Sequence, residues 1–82
     1  MEEIDQFKQL LGKQLREKRK QKGLSIQRVA EHAHTGTDHL GRIERGEKQP
    51  TAYTLSKLID YLNMDPGVTL EIMNELKKHR PD

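Results

Sequence analysis

The stretch from Ser25 to Gly46, SIQRVAEHAHTGTDHLGRIERG, constrains the fold more than any other part of this chain. Ile26, Val29, Ala30 and Ala33 recur at i, i+3, i+4 and i+7, the spacing of one buried helical stripe. His34, Thr35 and Gly36 interrupt the pattern, and a second stripe follows at Leu40, Ile43 and Glu44. The pattern calls for two short helices joined by a tight turn, the second with a polar outer face.

Such a pair is a helix-turn-helix, whose second helix is shaped to enter a DNA major groove. The remaining residues read as its support. Ile4, Phe7, Leu11 and Leu15 predict a first helix from about Glu3 to Lys22, stopped by Gly23. Gly12, inside that helix, is expected to cost roughly 1 kcal/mol relative to alanine. Ser25 caps the second helix, which ends near Ala33 or His34 without the usual glycine. His34 is therefore expected to take a positive φ. Gly36 precedes a third helix from Thr37 to about Arg45, stopped by Gly46. After the polar loop GEKQP, Thr51 caps a fourth helix with Leu55, Leu58, Ile59 and Leu62 on one stripe. Asp65-Pro66 opens a fifth, with proline at its first position. No strand alternation or repeat is visible, so the expected class is all-α.

Eighty-two residues allow one domain with a small core. We expect a single domain over 1–82, with its core in 11–64 and an additional helix and tail in 65–82. Cysteine is absent, which rules out a disulfide framework and any cysteine-bearing metal site and suits a reducing compartment. No apolar run approaches a membrane span, and the acidic start MEEID carries no signal-peptide pattern. A soluble, cytoplasmic protein is the expectation.

The formal net charge of +2 is too small to announce a polyanionic partner, but its distribution is uneven. Lys13, Arg16, Lys18, Arg19, Lys20 and Lys22 stand against Glu17 alone, and Arg28, Arg42, Arg45 and Lys48 follow. Acids gather towards the ends, at Glu2, Glu3, Asp5, Asp60, Asp65, Glu71 and Glu75. A phosphate-facing surface produces this pattern, and so does a solvated lysine-rich helix.

On the third helix, Asp38, Gly41, Arg42 and Arg45 are expected opposite Leu40, Ile43 and Glu44, with Thr37 in the exposed first turn. Recognition helices read bases mainly from their N-terminal half, so Thr37, Asp38, Gly41 and Arg42 are the candidate readers. Arg42 can bond guanine O6 and N7 in bidentate fashion. Asp38 can accept from a cytosine amino group or hold Arg42 across one turn. Thr37 suits a thymine methyl or a phosphate, and Gly41 leaves room for the groove floor. An ordinary solvated face is the competing reading. Glu44 lies on the buried stripe, where an unpaired carboxylate is costly. Arg19, one turn after Leu15, is the expected partner, unless Glu44 curls to solvent.

Residues 11–64 resemble the Cro/C1-type helix-turn-helix family, the phage-repressor and XRE-like regulators. The matching segments are LGKQLREKRKQKGLS, VAE, LGRIERGEKQP and TLSKLIDYLNM. The resemblance implies a five-helix bundle that binds double-stranded operator DNA as a homodimer in a bacterial or phage setting. It also implies that Arg19 and Glu44 form a structural ion pair. Base contacts carry over to Thr37, Asp38, Gly41 and Arg42, and backbone contacts to Gln27, Thr35, His39, Arg45, Lys48 and Gln49. Three departures stand out. Ile26 replaces the glutamine that commonly opens the second helix, His34-Thr35-Gly36 replaces Gly-Val-Ser in the turn, and Gly41 empties one reading position.

The predicted fifth helix has more apolar residues than one core face needs. Val68, Ile72 and Leu76 make one stripe, while Leu70 and Met73 fall off it. These two either cover the core edge or form a dimer face. An enzyme is not expected: His32, His34, His39 and His79 complete no catalytic or metal-ligand constellation, and no cofactor motif occurs. The alternatives to an operator-binding repressor are a protein-interaction module of the same fold (antitoxin, adaptor or coactivator) and the DNA-binding part of a larger sensor continuing past KKHRPD.

Overall fold

The computed structural model describes residues 2–78. Five helices form, α1 (Glu3–Gln21), α2 (Ile26–His32), α3 (Thr37–Glu44), α4 (Ala52–Tyr61) and α5 (Val68–Lys78). No strand occurs among the described residues. His79, with the tail beyond it, lies outside them.

The first four helices all end the same way. The residue two past each helix has a positive φ: Gly23 at 67°, His34 at 55°, Gly46 at 78° and Asn63 at 54°. The amides after each helix turn back onto its last carbonyls, as Gly23 N–H to Lys20 O and Leu24 N–H to Arg19 O do after α1. The same double bond recurs at His34–Thr35, Gly46–Glu47 and Asn63–Met64. This is the Schellman stop, which satisfies carbonyls that the helix itself leaves open. The expected left-handed turn at His34 is therefore present. Helix starts also follow the sequence. Ser25 Oγ accepts from Arg28 N–H at 3.1 Å, and Thr51 Oγ1 accepts from Thr54 N–H at 3.1 Å.

Leu11, Leu15, Val29, Ala30, Ala33, Leu40, Ile43, Leu58, Leu62, Val68, Ile72 and Leu76 build one buried core. Helix α1 lies between α3 and α5, while α2 packs on α3 and α4. His32 stacks on Tyr61 across the α2–α4 contact, with ring centroids 3.9 Å apart.

Three expectations change. Ile4, the first member of the α1 stripe, is exposed, because it lies one turn beyond the part of α1 that the core covers. Helix α5 begins at Val68 rather than Pro66. There the Asp65 carboxylate accepts from Gly67 N–H at 2.8 Å, and Asp65 O accepts from Val68 N–H, so Pro66-Gly67 form a turn ahead of the helix. Gly12 is buried where α1 crosses the end of α3. A Cβ there would collide with the carbonyl oxygens of Ile43 and Glu44, the latter at 2.6 Å. Its missing side chain is what lets the two helices approach.

Candidate nucleic-acid interface

Helix α3 is fixed on its inner side by Leu40, Ile43 and Glu44, all buried. Glu44 is met by Arg19 from α1. Arg19 Nε donates to Glu44 Oε2 at 2.8 Å, and Nη2 donates to Oε1 at 3.0 Å. The remaining nitrogen, Nη1, donates to Leu24 O at 3.0 Å, tying the pair to the end of α1. The hydrogen bond to Glu44 holds the Arg19 guanidinium above its ordinary pKa, with burial opposing it. Charge and hydrogen-bonding capacity are both met, so a carboxylate only 5% exposed persists in the core wall.

The outer side of α3 carries Asp38, Arg42 and Arg45, all exposed and spaced i, i+4 and i+7. Thr37 is exposed in the first turn, and His39 is half-buried beside it. The helix starts at Gly36 without a side-chain cap, so no side chain occupies its leading amides there. Asp38 and Arg42 form no ion pair with each other. Lys48 and Gln49 are exposed in the loop after α3, Gln27 is exposed at the start of α2, and Thr35 is half-buried in the turn.

Gly41 is corrected. It is buried, not on the open face with Thr37, Asp38 and Arg42. A Cβ there would sit 3.7 Å from Ile26 Cδ1 and 3.2 Å from Arg45 Nη1. Three residues before Glu44, position 41 turns towards α2, and the Arg45 side chain lies over it. Met73 likewise packs against the core from α5, while Leu70 is 69% exposed. Of the two proposed dimer-face residues, only Leu70 is left fully outside.

Sequence reasoning missed Glu47. Its carboxylate accepts from Arg45 Nε at 2.6 Å, on the outer end of the α3 face. That hydrogen bond, with the charges of Arg45 and Arg42, holds the Glu47 carboxyl below its ordinary pKa. The available signal was an acid one residue past the Gly46 stop, between Arg45 and Lys48.

Among the described residues no group of three side chains is placed to hold a metal ion, and no helix is long and apolar enough to cross a membrane. A buried α2–α3 pair, a tight turn with a left-handed residue and a polar outer strip on α3 define a helix-turn-helix domain. The helix-turn-helix domain family model matches residues 10–71, and the chain belongs to that family. It is 41% identical over 64 residues to the HTH-type transcriptional regulator SutR of Escherichia coli K12, covering 78% of this chain. The chain spans about a third (34%) of that relative's length. Among solved structures it is similar to the clp gene regulator ClgR of Corynebacterium glutamicum, with a TM-score of 0.73 and 26% identity over 80% of this chain and 70% of that one. It also resembles the restriction-modification controller protein C.AhdI of Aeromonas hydrophila, with a TM-score of 0.66, 29% identity and coverage of 80% and 94%.

Proposed function

We propose that the chain is a sequence-specific DNA-binding transcription regulator that docks α3 in the major groove. One observation carries this reading: Asp38, Arg42 and Arg45 form an exposed polar strip on a helix whose other side is locked to α1 by a two-bond ion pair. A reading helix must present its side chains without moving, and that lock supplies the rigidity. Thr37, Asp38 and Arg42 would read bases. Gln27, Thr35, His39, Arg45, Lys48 and Gln49 would hold the backbone, with the amides at the start of α2 facing phosphate.

The regulators SutR, ClgR and C.AhdI support the same reading by likeness. The proposed action is repression by operator occupation in the cytoplasm, by binding and not by catalysis. We place residues 2–78 in one DNA-binding unit that works as a homodimer, with Leu70 on the contact face. Half-sites would then lie about 34–36 Å apart. The exposure of Leu70 equally suits a heterologous protein partner.

Selection from a randomised duplex pool at two salt concentrations tests the proposal. Enrichment of a two-fold symmetric motif, with affinity falling steeply as salt rises, supports it. Absence of binding at both salts refutes it, and salt-sensitive binding without enrichment refutes the sequence specificity.

A further inference from the structure

The ion pair at the end of α3 has an unusual setting. Gly46 and Glu47 make the Schellman stop of α3, and Glu47 N–H donates to Arg42 O at 2.9 Å. The Glu47 backbone is therefore fixed to the helix, not carried on a loose loop. In this motif the residue two past the cap usually packs an apolar side chain against the position five residues earlier. Here those positions are Glu47 and Arg42, both charged and both exposed.

Glu47 is thus a fixed acid at the end of a face that carries Arg42 and Arg45, with Asp38 a further acid at its start. It takes Arg45 as its partner at 2.6 Å, with both side chains more than half exposed. Arg45 in turn lies back over Gly41, its Nη1 close to where a Cβ would stand. The other nearby acid on α3's inner side, Glu44, is already taken by Arg19. Nothing in the packing of the core requires the Arg45–Glu47 pair.

We propose that Glu47 limits DNA affinity by competing with backbone phosphate for Arg45, so that docking requires Arg45 to exchange one anion for the other. This inference rests on the DNA-binding reading above. On exchange, Arg45 releases a counterion from the phosphate, while the Glu47 carboxylate is left bare beside the duplex and takes a cation up. The two nearly cancel, so Arg45 adds little to the salt dependence of the native protein. Without the carboxylate, the same contact releases its counterion in full.

The test is a double-mutant cycle on a short mixed-sequence duplex, read as affinity and as the slope of log affinity against log salt. Glu47→Gln should tighten binding about two- to five-fold at low salt, the range an exposed ion pair spans. It should also steepen the slope by about 0.9. In an Arg45→Ala background the same substitution should change neither by a comparable amount. An equal gain in both backgrounds overturns the exchange, because the carboxylate then acts by simple repulsion. Weaker binding by Glu47→Gln also overturns it, since Glu47 would then touch the duplex itself. Failure of the native protein and every variant to bind at either salt overturns the DNA-binding reading, and this inference with it.

Discussion

Arg19 and Glu44 face each other as a two-bond fork, with Nε on Oε2 at 2.8 Å and Nη2 on Oε1 at 3.0 Å. They join α1 to α3 across a sequence separation of 25 residues. Because the Glu44 side chain is only 5% exposed, the fork is part of the core wall and not a surface decoration. Its planar geometry also sets the rotation of α3, and hence which residues look outward.

Removing one partner strands the other. Arg19→Ala should destabilise the fold by about 3 kcal/mol, since it leaves a buried carboxylate unpaired. Replacing both with methionine should recover most of that loss, because the space is refilled and no charge is stranded. Chemical denaturation of the three variants checks this. A single-variant cost under about 1 kcal/mol would mean that the fork is solvated in solution.

Gly12 offers a test of sign. Helix propensity alone says that Gly12→Ala should stabilise α1 by about 1 kcal/mol. The structure says the opposite, since the new Cβ would meet the Ile43 and Glu44 carbonyls. We expect a net loss of about 2 kcal/mol and a lowered Tm. A raised Tm would show that α1 and α3 lie farther apart.

Much of this fold was legible because apolar spacing and stop signals are local. The Val29, Ala30 and Ala33 stripe, the Ser25 and Thr51 caps and the positive φ of His34 are all determined within a few residues. The Arg19–Glu44 pair was legible for a different reason: charges standing on apolar stripes demand partners. What escaped depends on distances between elements. Gly12 and Gly41 look like ordinary glycines until α3 is laid against α1 and α2. Glu47 looks like loop polarity until the stop at Gly46 turns it towards Arg45.

Two of the four left-handed stops are occupied by side chains that tolerate this conformation only at a cost. His34→Gly should stabilise the protein by about 0.5–1 kcal/mol, because relief of the left-handed conformation exceeds the extra entropy of the unfolded chain. Asn63→Gly should gain less, since asparagine suits the same region better than histidine. Thermal melts of the two variants decide. A destabilised His34→Gly protein would mean that the imidazole contributes contacts outweighing its strain.

At the start of α5 the Asp65 and Glu71 carboxyls influence each other's protonation, with Asp65 also accepting from Gly67 N–H. The Gly67 amide, then Glu71, holds Asp65 below its ordinary pKa, while Asp65 holds Glu71 above its own. A raised folded-state pKa favours the protonated form, so Glu71 contributes stability at low pH that is lost as pH rises through that pKa. Glu71→Gln should therefore raise Tm at pH 7 and make little difference near pH 4. Equal shifts at both pH values would contradict a raised Glu71 pKa.

The proposed base-reading surface is the outer strip of α3, with the exposed Arg42 at its middle. On a duplex recovered by selection, Arg42→Ala should lose about 1–3 kcal/mol of discrimination, confined to one base pair of each half-site. Lys48→Ala should instead weaken binding to all sequences alike and reduce the salt slope by about one. The most direct measurement is the affinity of native, Arg42→Ala and Lys48→Ala proteins for that duplex and its single-base variants. A base-pair-specific loss for Arg42→Ala, beside a uniform loss for Lys48→Ala, is the result this structure predicts. Uniform losses from both, or native affinity after Arg42→Ala, would contradict α3 as the reading helix.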